Sequence, residues 1–160
     1  MIEIVPFESK HAEGVVTVIL PIQQSEFEIP ISLELQPDLQ NIPAYYRRGS
    51  GNFWVALANE EVVGTVALLD IGNNQGALRK MFVKAAYRGP EHGVAKRLLG
   101  TLFQWCQERG VQEVYLGTTA KFLAAHRFYE KNGFGEIARS ELPQSFPVMA
   151  VDTKFYCRTL

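Results

Sequence analysis

Three runs of β-forming residues follow one another between Asn52 and Val83 with very little chain between them. "NFWVALA" and "VVGTVALLDIG" are separated by Asn59–Glu60–Glu61, and "QGALRKMFV" follows the turn Gly72–Asn73–Asn74. A parallel crossover needs a dozen or more residues, so connections this short dictate antiparallel neighbours. Any fold for this chain has to contain that meander.

The remaining elements are read around it. "IEIVPF" alternates as a short strand, and residues 11–24 form a helix with Val15, Val18 and Ile19 on one face. "SEFEIPISLELQPDL" is irregular. Residues 37–48 suggest a second, short helix, with Pro43 an unfavourable interior residue that breaks it. After the meander comes a strong helix with the stripe Val94, Leu98, Leu102, Trp105 and Cys106, and Lys96, Arg97, Gln104 and Gln107 on its other side. Gly110 stands where a helix end wants positive φ. "EVYLGT" is a strand, "AKFLAAHRFYEKN" a helix closed by Gly133, and "GEIARSEL" and "MAVDTKFYC" two final strands. The order β-α-α-β-β-β-α-β-α-β-β predicts one α/β (α+β) domain over residues 1–160, a mixed sheet with helices on both faces.

Composition narrows the functional classes. The chain has 160 residues, 47% apolar and 21% charged, which supports a real core and excludes disorder. A net charge of −1 argues against a general binder of nucleic acid or membrane surfaces, which needs a basic excess. Cys106 and Cys157 are too few for a disulfide framework and read as reduced thiols. "MIEIVPFESK" lacks the basic and apolar regions of a signal peptide, and the apolar runs are too short for a membrane helix; the expected location is cytoplasmic. His11, His92 and His126 are scattered and no Cys-x-x-Cys exists, so no metal is expected.

"YRGPEHGVAKRLL", residues 87–99, joins the end of a predicted strand to the strong helix. It reads either as a solvated loop or as a cradle for a phosphate. The amides of a helix's first turn have no partner inside the helix and lie at the positive end of its dipole. Gly93 and Ala95 keep that turn small, and Arg88, Lys96 and Arg97 add charge. Neither a P-loop nor a Gly-x-Gly-x-x-Gly fingerprint is present.

"AAHRFYEKNGF", residues 124–134, resembles the late helix-to-strand signature of the GNAT superfamily of acyl-CoA-dependent N-acetyltransferases. The loop before Val94 is similar to that superfamily's pyrophosphate loop, Arg/Gln-x-x-Gly-x-Gly/Ala, at Gly93-Val94-Ala95, and "FVKAAYRG" is similar to the strand end that leads into it. Two departures stand out. Pro90 occupies the Arg/Gln slot, with Arg88 as its substitute, and Phe122 occupies a slot often held by asparagine.

The resemblance implies a mostly antiparallel twisted sheet of six to seven strands with a V-shaped splay between central strands. It implies acetyl-CoA as co-substrate, its pantetheine paired with the backbone of Met81, Phe82 and Val83, its diphosphate near Arg88, Gly89, His92, Gly93, Val94, Ala95 and Lys96. Tyr129 matches the tyrosine that protonates the departing thiolate; packing with Phe128 is its other reading. A backbone N–H near Phe82 or Val83 would serve the oxyanion. For the general base, Glu26, Glu28, Asp70, His126 or a water chain remain open. Glu26, Phe27 and Glu28 fall where acceptor-binding loops lie in this superfamily; with Glu34 and Asp38 they read as an acidic collar for a cationic amine, or as a polar loop. The implied activity is acetyl transfer to a primary amine of a small molecule or peptide, without nucleic acid or membrane. A non-catalytic acyl-CoA-binding sensor is the alternative, and the oligomeric state, a homodimer included, stays open.

Overall fold

A computed structural model describes residues 1–120 and 122–160. The meander forms as its turns require: β2 (Asn52–Ala58), β3 (Glu61–Gly72) and β4 (Gln75–Val83) pair antiparallel in sequence order. β1 (Ile2–Pro6) adds to β2, so four consecutive strands make one half of the sheet. β5 (Glu113–Thr118), β6 (Gly135–Ile137) and β7 (Lys154–Thr159) make the other half, in the overall order β1-β2-β3-β4-β5-β7-β6. All neighbours are antiparallel except β4 and β5.

Both faces of the sheet are covered, which is why β2 and β3 are apolar almost throughout. Phe53 and Trp54 point to opposite faces, and both are buried. On one face lie α1 (Ala12–Pro21), α2 (Pro37–Gln40) and α3 (Ile42–Tyr46), with Val15, Val18, Ile19, Ile42 and Tyr46 against Phe53, Val55 and Ala67. α1 continues through a wider π turn over Ile22–Glu26. The helix expected over residues 37–48 is split at Asn41, whose side chain accepts the Ala44 N–H and starts α3 with Pro43 in its first turn, where no N–H is needed.

The opposite face carries α4 (Val94–Arg109) and α5 (Leu123–Lys131). α4 buries Val94, Leu98, Leu99, Leu102 and Cys106 against Trp54, Val66 and Leu116. Burying each leucine contributes about 1.5–3 kcal/mol. At its end the Val111 N–H donates to the Cys106 carbonyl at 2.9 Å, and Arg109 lies over the Trp105 ring at 3.9 Å. Lys121, inside the run assigned to α5 from the sequence, lies outside the described residues.

The two final strands are shorter than their alternation suggests. Of residues 135–142 only Gly135–Ile137 pair, and a 3₁₀ turn follows at Arg139–Glu141. Of residues 149–157 only those from Lys154 onward join the sheet. The intervening chain packs Phe146 onto Ala77, Tyr115 and Phe155, covering the part of the sheet that α1–α3 do not reach. No described helix is long and apolar enough to cross a membrane.

Candidate active site

The seam between β4 and β5 holds for only three residue pairs, Gln75–Ala77 with Glu113–Tyr115. From Leu78 and Leu116 onward the strands diverge, leaving β4 with an open edge toward β5. A bulge sits within that stretch. Phe82 pairs with Thr65 and Arg79 with Ala67, so Lys80 and Met81 together face Val66. Lys80 takes a left-handed conformation, φ +55°, and its carbonyl accepts the Thr65 hydroxyl at 2.6 Å. Such a bulge bends and twists its strand. Met81 and Phe82 are half-buried there, and Val83 is buried.

β4 leads directly into the loop before α4. A 3₁₀ turn at Ala85–Tyr87 is followed by Arg88–Gly93, where the His92 and Gly93 amides both donate to the Gly89 carbonyl at 3.2 Å. Gly93 caps the helix at φ +61°, a conformation glycine adopts without a Cβ clash. The first helical bond runs from the Arg97 N–H to the Gly93 carbonyl at 3.0 Å, so the Val94, Ala95 and Lys96 amides have no acceptor within the helix. Lys96 is exposed beside them, and His92 is exposed with its ring 5.7 Å from that of Tyr87. Arg97 is turned to the Ile2 carbonyl at 2.6 Å, away from this cradle.

Arg88 and Glu26, assigned to separate subsites from the sequence, are held together. Arg88 grips the Glu26 carboxylate with two nitrogens and donates through Nε to the Val83 carbonyl at 2.8 Å. The Arg88 hydrogen bond holds the Glu26 carboxyl below its ordinary pKa, which makes it a poor base. The half-buried Phe27 ring lies 4.3 Å from that of Phe122, joining the acceptor-side loop to the start of α5, and Glu28 is exposed with φ +54°.

Tyr129 lies in the layer between the sheet and α4–α5, its ring 5.6 Å from Phe134 and 6.1 Å from Tyr156. Burial pushes its phenol pKa well up. Among the described residues nothing hydrogen-bonds its hydroxyl. Thr118, at the open end of β5 and on the same face as Leu116, buries a hydroxyl oxygen without a partner. A buried hydroxyl without a partner is uncommon, and this one lies on the Tyr129 side of the sheet beside the open seam. His126 is buried, with Nε2 2.9 Å from the Thr119 carbonyl.

Other candidate bases fall elsewhere. Asp70 sits near the end of β3, opposite Gly76 at the start of β4 and away from the open edge, where the Ser50 and Gly72 amides bond to it and hold its pKa down. Asp38 belongs to no exposed collar; it is buried, accepts the Tyr46 hydroxyl at 2.6 Å and lies 3.5 Å from Lys80 Nζ.

Residues that the sequence reading passed over also stand beside the opening. Arg79 donates to the Tyr45 hydroxyl at 3.1 Å, its guanidinium 5.7 Å and 6.0 Å from the Tyr45 and Tyr46 ring centroids. Asp152 packs against Gly117 of β5, and Burial raises its carboxyl pKa. In the sequence Arg79 is one more residue of a strand run and Asp152 falls within the run assigned to the final strand.

The arrangement is a strand edge that can hydrogen-bond an extended ligand, continuous with a helix start that can hold its anionic end. The model of the acetyltransferase (GNAT) family matches residues 17–134. A GNAT-family acetyltransferase of Staphylococcus aureus Mu50 aligns with a TM-score of 0.95 and 42% identity over 99% of each chain. An acetyltransferase of Streptococcus agalactiae 2603 gives 0.94 and 32% over 99% of this chain and 98% of that one. N-acetylaspartate synthetase of Danio rerio is 38% identical over 109 residues, 67% of this chain and 38% of the relative, so the chain spans well under half that relative's length. Family match, whole-length structural likeness and splayed seam agree, and the chain belongs to the GNAT acetyltransferase family.

Proposed function

We propose that the chain is an N-acetyltransferase that moves acetyl from acetyl-CoA to the primary amine of a small molecule by direct attack in a ternary complex. The observation that carries this reading is the seam that stops after three residue pairs and leaves the Met81–Val83 edge open just ahead of the Gly93 helix start. Pantetheine is an extended chain with amides, suited to pair with such an edge as a peptide does in sheet augmentation. Its diphosphate then meets the amides of Val94, Ala95 and Lys96, with Gly89, His92 and Lys96 at the rim. Arg88 reaches the same anion only by leaving Glu26. Relatives named N-acetylaspartate synthetase favour a small-molecule amine over a protein terminus.

The acceptor amine must be neutral to attack. An amide on β4 near Phe82 or Val83 stabilises the oxyanion, and Tyr129 gives its proton to the departing thiolate. The test is calorimetry with acetyl-CoA together with thiol release over a panel of amines. Saturable binding with amine-dependent release is expected. Binding without release from any amine identifies an acyl-CoA-binding module, and absence of binding removes the reading.

A further inference from the structure

Ala77 and Tyr115 pack in one cluster on the α1–α3 face of the sheet, and side chains alternate along a strand. Two residues further on, Arg79 on β4 and Gly117 on β5 therefore address the same face, on either side of the opening seam. Gly117 has no side chain there; a Cβ at that position would stand 2.5 Å from an Asp152 oxygen. A carboxylate and a guanidinium thus flank the gap on the face opposite Tyr129.

Their existing partners leave both groups capacity to spare. Arg79 donates to the Tyr45 hydroxyl and weakly to the Met149 sulfur at 3.6 Å, and among the described residues no carboxylate stands within ion-pair distance of it. A guanidinium has five N–H donors and suits a carboxylate bidentately. Lys80, its neighbour, is already neutralised by Asp38 and bonded to Gln36. Asp152 accepts the Met149 N–H at 2.9 Å with one oxygen. The charges acting on it are Arg79 from β4 and Arg139 from the turn after β6; both oppose the effect of burial, which favours its protonated form.

We propose that Arg79 and Asp152 form the acceptor subsite for an amino acid, Arg79 binding its carboxylate and Asp152 taking the proton from its ammonium. This rests on the acetyltransferase reading and names the acceptor's class. Across the bulge Arg79 and Phe82 stand opposite Ala67 and Thr65, an advance of two partner residues or about 6–7 Å, enough for one amino-acid backbone between guanidinium and thioester. The ammonium gives one proton to Asp152, and the freed lone pair forms the C–N bond at the thioester carbonyl. Collapse breaks the C–S bond. The thiolate takes a proton from Tyr129, the second proton leaving nitrogen restores the tyrosine, and Asp152 releases its proton to water. One amide, one free thiol and one proton are the products.

The experiment measures thiol release by the full chain with L-alanine, L-aspartate and L-glutamate, with the α-amide of each, and with butylamine. The acids are expected to be preferred over the α-amides and butylamine. Arg79→Gln is expected to raise KM for the acids about 10²-fold, collapse the preference over the amides, and leave the KM for acetyl-CoA in place, with Arg79→Lys restoring part. Asp152→Asn is expected to lower kcat/KM about 10²-fold or more and to remove the acidic limb of the pH profile. Thermal unfolding checks that each variant folds. Wild-type protein that uses amides or butylamine as well as acids, or an Arg79→Gln variant with its preference intact, overturns the subsite while the acetyltransferase reading stands. If no amine releases thiol, calorimetry of the same acids on the CoA-saturated protein decides the subsite alone. Binding lost in Arg79→Gln supports it, and no binding to the wild type overturns it.

Discussion

Tyr129 combines a buried ring held by Phe134 and Tyr156 with a hydroxyl that no described residue engages. Removing that hydroxyl therefore breaks no hydrogen bond to a described residue. Tyr129→Phe is expected to keep the melting temperature and the affinity for acetyl-CoA while kcat falls about 10²-fold. An unchanged kcat across the pH range would show that the ring only packs. The sequence singles this residue out because residues 124–134 resemble a family signature that contains it. Arg79, Lys80 and Asp152 are not legible there, for two physical reasons. Nothing in a lysine announces φ of +55°, so the bulge that presents the two cations appears only when the register of β3 and β4 is laid out. Asp152 acquires its position from Gly117 on another strand, a contact no local pattern encodes. Arg88 and Glu26 were each singled out, but their mutual grip joins residues far apart in the chain.

Elements whose signal is periodic and long came through with little error. The bounds of β4 and β5, the start of α4 and its end at Gly110 follow from alternation, a helical stripe and two glycines. The two last strands did not, because alternation shows that a run can pair and not that a partner is within reach; the Met149 N–H to Asp152 bond closes a turn before pairing begins. α4 also carries an element-level prediction. Gly93→Val forces a β-branched residue toward a left-handed conformation that costs about 1–2 kcal/mol, and the first turn must rotate to relieve it. The variant is expected to fold with a slightly lower melting temperature and to bind acetyl-CoA at least about tenfold more weakly by calorimetry. Unaltered affinity would separate that turn from the diphosphate.

Across the whole molecule, two helical layers grip one sheet, and the junction of β1 with α1 depends on an uncharged histidine. His11 is buried against Phe7, its Nδ1 accepting the Glu8 N–H at 3.0 Å, and burial lowers its pKa. The unfolded chain then binds that proton more tightly than the folded one. The stability contributed by neutral His11 is complete above its ordinary pKa of about 6.5 and is lost as pH falls through the lower folded value. Melting between about pH 7.5 and about pH 5.5, roughly one unit either side of the ordinary value, is expected to drop more steeply for the wild type than for His11→Asn; parallel curves would rule the residue out. The short β4–β5 seam has a last consequence at this scale. Unpaired strand edges usually face outward, where a second molecule can stack on them and begin a fibril. Here the open edge lies between two halves of the protein's own sheet, so a strand of another copy would have to enter with its own neighbours attached. A lone linear guest carries no such neighbours, so an edge that suits it is a poor place for copies of the protein to stick to one another.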